Sequence, residues 1–399
     1  MNSMKKNVWL LAVCQATLNT GNILLVATSA LVSLKLAPDK ALATLPLAVQ
    51  FLASMITTMP ASMLMRRIGR QAGFLIGTGA GLAGAGLAAF AIVQGSFVLF
   101  SLAAALFGVY NGFGTYYRFA AADAATPDYR PAAISYVMAG GVVAAFIGPN
   151  LANWARFWLP PAEFAGSYLS LLFVVGLSML ALLFVRIPRP PEQQRFESSR
   201  PLSVIAAQPQ TAVAMLGAAI GSGVMVFVMT ATPLAMHAHQ HDFGDTAFVI
   251  EWHVLGMFAP SFVTGHLIRR FGVLNVMLTG ALLTAGCVAV NLTGTGVAHF
   301  WTALVLLGIG WNFLFVGGTS LLTETYTESE KAKTQGLNDF LVFTVITIAS
   351  LSAGAIQHFL GWRLVNLGVI PLIVLVAAGI VWRKRRRRAA AGMVREESV

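Results

Sequence analysis

MRRIG at residues 65–69 returns as IRRFG at 268–272, an offset of 203 residues, each copy closing a short basic loop between the second and third apolar run of its part of the chain. A second echo lies farther along. GVYNGFG at 108–114 and GIGWNFLF at 308–315 align Asn111 with Asn312 at an offset of 201, which also sets Asp123 against Glu324. Two echoes at nearly one offset, one in the loop and one inside an apolar run at the matching place in each part, mark a duplicated six-span half, the layout of a secondary transporter.

The runs themselves settle the medium. The chain has 399 residues, of which 57% are hydrophobic and only 10% charged, and its mean hydropathy is +0.74. Such a composition cannot cover a soluble surface. Runs of about 20 residues or more, long enough to cross a hydrocarbon core, fall at 8–34, 41–65, 71–94, 97–121, 131–155, 165–187, 208–237, 244–268, 273–293, 297–322, 335–358 and 361–382. The expectation is an all-α membrane protein with twelve spans in two six-helix halves, 1–187 and 208–382. A solvated Pro/Arg/Glu-rich linker at 188–207 joins them, and a basic tail follows at 383–399.

Basic residues orient the bundle. With both termini cytoplasmic, 21 of the 26 lysines and arginines fall on the inner side, a strong positive-inside bias. The net charge of +11 then needs no nucleic acid to explain it. RKRRRR at 383–388 reads as a stop-transfer anchor, with anionic lipid as the other use of such a cluster. Lys5 and Lys6 lead into a run too long for the core of a cleaved signal. The two cysteines, Cys14 and Cys287, lie in different halves inside apolar runs, so neither a disulfide framework nor a C-x-x-C site is expected. There is no G-x-S-x-G, no H-E-x-x-H and no P-loop, and the chain reads as no enzyme, with no organic cofactor.

Ionisable residues at membrane depth are costly and mark function. Arg118, near the inner end of span four, can snorkel or pair with Asp123, which makes it a gating or pairing residue before a substrate contact. Asp339, in the first turn of span eleven, can serve as a helix cap, a gate partner or a proton carrier. Glu251 and His253 stand two apart, about 200° around a helix, and share no ligand face. Glu251 is left as a proton site, a cation-attracting charge or an interhelical partner.

Two pairs at helical spacing complete the picture. Met225 and Met229 fall on one face of span seven, and His253 and Met257 on one face of span eight. Counted from the outer loop, Met229 and His253 lie about 12 and 14 Å deep, Met225 and Met257 about 18 and 20 Å. Thioether and imidazole without carboxylate or thiolate suit Cu(I) better than Zn, Mn or Mg. Methionine also fills irregular core gaps, so packing is the competing reading. In the outer loop, MHAHQH holds Met236, His237, His239 and His241, and alternate residues of it fall on one side if the segment is extended, a second place where metal could be captured.

MLMRRIGR at 63–70 resembles the G-x-L-a-D-R-x-G-R loop motif of the major facilitator superfamily, with Ala61 in place of the first Gly and Met65 in place of the Asp. Residues 221–265 look like the CcoA-type copper importers, a bacterial branch marked by M-x-x-x-M in span seven and H-x-x-x-M in span eight. That resemblance implies copper as transported substrate bound at Met225, Met229, His253 and Met257. It further implies import across the inner membrane by alternating access, supply of cbb3-type cytochrome oxidase assembly, and a cytoplasmic protein that accepts the copper. Riboflavin transporters share this fold, so an organic-solute importer with Trp252, Phe227 and the Asn-bearing spans lining the cavity is the alternative.

Overall fold

The computed structural model describes residues 3–39, 42, 45–187 and 200–396. Most of the expected linker, 188–199, and the end of the tail, 397–399, lie outside these residues. Every regular element among the described residues is helical. In chain order they are α1 (Ser3–Leu36), α2 (Leu45–Ile68), α3 (Arg70–Val93), α4 (Phe97–Gly114), α5 (Tyr117–Ala124), α6 (Arg130–Trp154) and α7 (Ala165–Leu183). There follow α8 (Leu202–Ala206), α9 (Pro209–Ala238), α10 (Phe243–Phe258), α11 (Ser261–Phe271), α12 (Val273–Thr293), α13 (Val297–Leu322) and α14 (Lys331–Glu396).

Eleven of the helical segments are long and apolar enough to cross a membrane, and twelve when the bent pair Gly244–Phe258 and Ser261–Phe271 counts as one span. Span eight is therefore broken rather than continuous over 244–268, with a bend of 41°. The cause is local: Pro260 has no N–H to continue the ladder. Span four is interrupted as well, at Thr115 and Tyr116, and resumes as α5. In α14 the backbone of Gly361 takes φ 75°, a conformation glycine adopts without a Cβ penalty. It kinks the helix near the junction of two membrane-length stretches, Lys331–Gln357 and Phe359–Arg387.

The helices gather into two compact units, Met1–Ser199 with Glu328–Thr347, and Arg200–Thr327 with Ile348–Val399. In the first, α1 packs on α6 and α7, and α4 on α2 and α3. In the second, α13 is the common partner, lying along α9, α10 and α12. Apolar burial drives little helix association in lipid, where tails are as apolar as leucine, so close backbone approach carries more weight. Small residues permit it. A Cβ on Gly140 would stand 2.5 Å from the Ala12 carbonyl, and one on Gly280 2.8 Å from the Gly310 carbonyl.

Candidate transport site

His253 sits one third along the broken span and is wholly buried. Its seat is prepared by a glycine on α13: a Cβ on Gly308 would lie 2.6 Å from the His253 carbonyl and 2.8 Å from the Met257 nitrogen. With that Cβ missing, α13 closes on α10 and the Leu304 carbonyl comes within 2.8 Å of His253 Nδ1. A carbonyl only accepts, so Nδ1 carries a proton, and in the neutral form of the ring Nε2 offers a lone pair. That Nε2 is buried without a hydrogen-bond partner. One helical turn on, Asn312 Nδ2 donates to the Met257 carbonyl at 2.7 Å and to Ser261 Oγ at 2.5 Å, and Asn312 Oδ1 accepts from Thr264 at 2.7 Å. The asparagine thereby supplies partners to backbone and hydroxyl groups on both sides of the Pro260 break.

The methionine pair on α9 is divided between environments: Met225 is buried and Met229 half-buried. Helices α9 and α10 each run along α13 and touch one another only briefly. The link between them that the structure does carry is aromatic. Trp311 of α13 donates from Nε1 to Ser222 of α9 at 3.0 Å, and its ring meets Phe258 edge-on at 5.9 Å and Phe315 in a stack at 5.0 Å. Sequence reading did not single out Trp311. Trp252, by contrast, is exposed and contacts Trp301 and Phe248 edge-on.

The first unit holds the counterpart of the His253 seat. A Cβ on Gly108 would lie 2.4 Å from the Gln50 carbonyl, 2.6 Å from Ala53 Cβ and 3.1 Å from the Ser54 nitrogen. On the 203-residue offset, Gln50 corresponds to His253, Ala53 to Gly256 and Ser54 to Met257, and Asn111 corresponds to Asn312 as before. Thus H-x-x-x-M in one half stands where Q-x-x-x-S stands in the other. Here an amide chain takes the place of the histidine: Gln50 Nε2 donates to Asn22 Oδ1 at 2.8 Å, Asn22 Nδ2 to Asn111 Oδ1 at 3.1 Å, and Asn111 Nδ2 to Ser54 Oγ at 3.2 Å. Gln50 Oε1 and, one turn before Asn22, Asn19 Nδ2 remain buried without partners. An acceptor and a donor are both on offer. The signal that could have found Gln50 and Ser54 was the repeat offset carried from the loop into the helix.

The charged residues pair differently from the sequence expectation. Arg118 does not bind Asp123: its guanidinium meets the Asp339 carboxylate and also donates to the Thr115 carbonyl at 2.9 Å and hydroxyl at 2.7 Å. Thr115 and Asn338 complete the shell of Asp339 at 3.1 and 2.8 Å. Both partners are buried. Since α14 begins at Lys331, Asp339 lies two turns inside the helix and is no cap. Asp123 is instead held by Arg70 of the loop motif at 3.1 Å and by Lys331 at 3.2 Å, and Arg70 also reaches Gln335 at 2.6 Å. Glu251 is exposed, so it does not face the packed interior of its unit.

The outer segment is not extended either. Helix α9 continues through Ala238, which turns Met236 into the core while His237 and His239 stay exposed. Gln240 then takes φ 63°, and the ring of His241 turns to the Thr295 carbonyl at 2.6 Å, so Met236 and the three histidines do not share a side. Among the described residues, no three His, Cys, Asp or Glu side chains gather as a metal-ligand group.

A chain of twelve spans with these features has close kin. It is 40% identical over 390 residues to the riboflavin transporter RfnT of Brucella anthropi, covering 97% of this chain and 98% of that one. The fold superposes with a TM-score of 0.76 on the human organic anion transporter MFSD10, at 11% identity with 95% and 100% of the two chains covered. The same score relates it to the transporter FucP in its outward conformation, at 16% identity with 95% and 99% covered. The family model of the Major Facilitator Superfamily matches residues 9–250 and 215–397, and the chain belongs to that superfamily.

Proposed function

We propose that this multi-pass transporter carries an organic solute of the flavin class by alternating access. The observation that carries the reading is the 40% identity, over nearly the full length of both chains, to a protein described as a riboflavin transporter. The chemistry of the first unit supports it. The Gln50, Asn22 and Asn111 amides, with Gln50 Oε1 and Asn19 Nδ2 unsatisfied, offer the mixed donors and acceptors that a pyrimidine edge or a polyol chain requires. Leaving such groups unpaired costs about 1–3 kcal/mol each, which a cognate ligand recovers on binding. In the second unit Trp311 and Phe315, both buried and stacked on one another, add aromatic faces of the kind that pack against a planar ring system.

One observation favours a second cargo. The neutral His253 Nε2, buried and unpartnered, one turn from Met257, is a ligand atom of the type that copper(I) takes, and Met225 with Met229 retains the thioether spacing. On that reading the chain imports copper through the bacterial inner membrane and supplies a cytoplasmic acceptor on the route to cbb3-type oxidase assembly. One experiment separates the two. Cells without their own flavin and copper importers express the chain, Gln50→Ala or His253→Leu at equal levels, and take up radiolabelled riboflavin or copper. The flavin reading expects riboflavin uptake that Gln50→Ala lowers tenfold or more, as about 1.4 kcal/mol of lost binding would. Copper accumulation that His253→Leu abolishes, with no flavin uptake, would reverse the choice.

A further inference from the structure

Apart from Asp245 in the first turn of α10, the helices α9, α10, α12 and α13 carry one charged side chain, Glu251. The broken span fixes its depth. Arg269 and Arg270 mark one edge of the bilayer for that span, and Glu251 stands 18 residues before Arg269, at most about 27 Å along the axis. The bend at Pro260 shortens that height, so Glu251 lies inside a hydrocarbon core of about 30 Å. Glutamate lacks the long stem by which lysine and arginine snorkel out of it. Asp339 and Asp123, in the other unit, are each held by a cation, whereas Glu251 is exposed and makes no hydrogen bond or ion pair among the described residues. No opposite charge stands nearby to take it. On α10 itself His253 turns to the other side, toward Leu304, and Asp245 lies near His241 at 4.0 Å. The helices packed on α10, α9 and α13, hold one titratable side chain each, His237 and His299, both near the helix ends, and His266, Arg269 and Arg270 follow beyond the Pro260 break. A carboxylate turned to lipid at this depth is costly, so the face of α10 that exposes Glu251 is a wetted one.

We infer that Glu251 takes up and releases one proton in each transport cycle. This rests on the alternating-access reading above and holds for either cargo. Local chemistry selects the proton over a hard cation. The helical neighbours Phe248, Val254 and Leu255 bear no side-chain oxygen, and Trp252 beside them packs edge-on against Phe248 and Trp301. A hard cation takes about six or more oxygen ligands, whereas a proton needs one. The ionised carboxylate depends on the water at its face, and a step that strips this water leaves a charge among aromatic and aliphatic groups. The neutral acid loses the same water at much smaller cost. The carboxylate therefore takes a proton from solution while one side of the membrane is open, forming an O–H bond that breaks again when the other side is open. One proton moves with each cargo molecule, and no further reactant is required.

The test uses the full chain in proteoliposomes held at zero potential with potassium and valinomycin. Counterflow of radiolabelled riboflavin is read first, and copper(I) replaces it where the parent exchanges no flavin, an outcome that bears on the cargo alone. With about one pH unit imposed, acid outside, the parent should accumulate cargo up to about tenfold, the limit for one proton per cargo. A dye trapped in the lumen should report acidification as cargo enters. Glu251→Gln should keep counterflow, which needs no net proton movement, and should lose both pH responses; its counterflow also shows that it is folded. Glu251→Asp, which keeps a carboxylate, should retain both, and Asp245→Asn should behave as the parent. Counterflow in the parent without acidification or pH-driven accumulation would overturn the inference, as would pH-driven accumulation by Glu251→Gln equal to that of the parent. Loss of counterflow in Glu251→Gln at an unchanged unfolding midpoint would also overturn it, and would make the carboxylate a cargo contact.

Discussion

Arg118 and Asp339 form the least replaceable pair in the first unit, because neither has water to fall back on. A buried ion pair adds little net stability, since desolvation offsets the attraction, but removal of one partner strands the other charge at about 3–5 kcal/mol. Asp339→Asn and Arg118→Leu should each therefore lower the unfolding midpoint far more than Arg118→Leu with Asp339→Asn together, and a double variant worse than both singles would show that the ions do not act as a pair. His253 offers the opposite case. Its hydrogen bond to Leu304 crosses between helices, and such bonds in membranes average about 0.6 kcal/mol with a maximum near 1.7. His253→Leu should thus leave unfolding nearly unchanged, so a collapse of transport in that variant, measured beside its thermal midpoint, reports on cargo handling and not on the fold. The partners of these residues were hidden from the sequence for one reason. Asp123 is five positions from Arg118 and invites pairing, whereas Asp339 lies 221 positions away, and only the packing of the first arm of α14 brings it within reach. Asp123 is meanwhile claimed by Arg70 and Lys331.

Helices set the spacing that those residues use. The approach of α13 to α10 depends on Gly308, and that of α4 to α2 on Gly108, so each glycine is a packing surface in itself. Gly308→Ala must push a backbone carbonyl aside, and overpacking of this kind costs about 1–3 kcal/mol. At Gly86, where nothing lies within 4 Å of an added Cβ, alanine should be neutral or gain up to about 1 kcal/mol of helix propensity. Unfolding of the two alanine variants in parallel checks the contrast, and similar midpoints would mean that α13 has room to move. The bend in span eight follows the same logic: Pro260 was visible in the sequence, but apolar continuity over 244–268 suggests a straight helix, and only Asn312 shows how the break is satisfied. Asn312→Ala, which strips the Met257 carbonyl and Ser261 of their donor, should cost about 1–3 kcal/mol. Asn111 and Asn312 were legible as a repeat, while their work on opposite types of partner, an amide chain and a broken backbone, was not.

At the scale of the molecule, the length and number of apolar runs and the echo of MRRIG in IRRFG determine the superfamily, because a bilayer admits few architectures and duplication leaves a measurable offset. Cargo is a finer property. It rests on a few side chains, and M-x-x-x-M or H-x-x-x-M states which atoms are available without stating what they meet. The repeat sharpens this, for the same framework of glycine and asparagine carries glutamine and serine in one half and histidine and methionine in the other. A half rich in amides suits a polar organic solute, and a half with an unpartnered imidazole suits a soft cation, so the two cargoes differ most plainly in charge. Riboflavin is neutral, and if it moves without a coupled ion its uptake into proteoliposomes should not respond to a potassium diffusion potential. A monovalent copper ion moving alone gains about 2.3 kcal/mol per 100 mV of inside-negative potential, equivalent to about 50-fold accumulation. Flavin counterflow, in which no net gradient is needed, should then proceed equally at zero and at 100 mV on the proposed reading (about 2.3 kcal/mol apart for a lone cation). Potential-driven copper accumulation without flavin exchange would assign the transporter to the metal, and would make His253 and its methionine neighbours the place where the charge crosses.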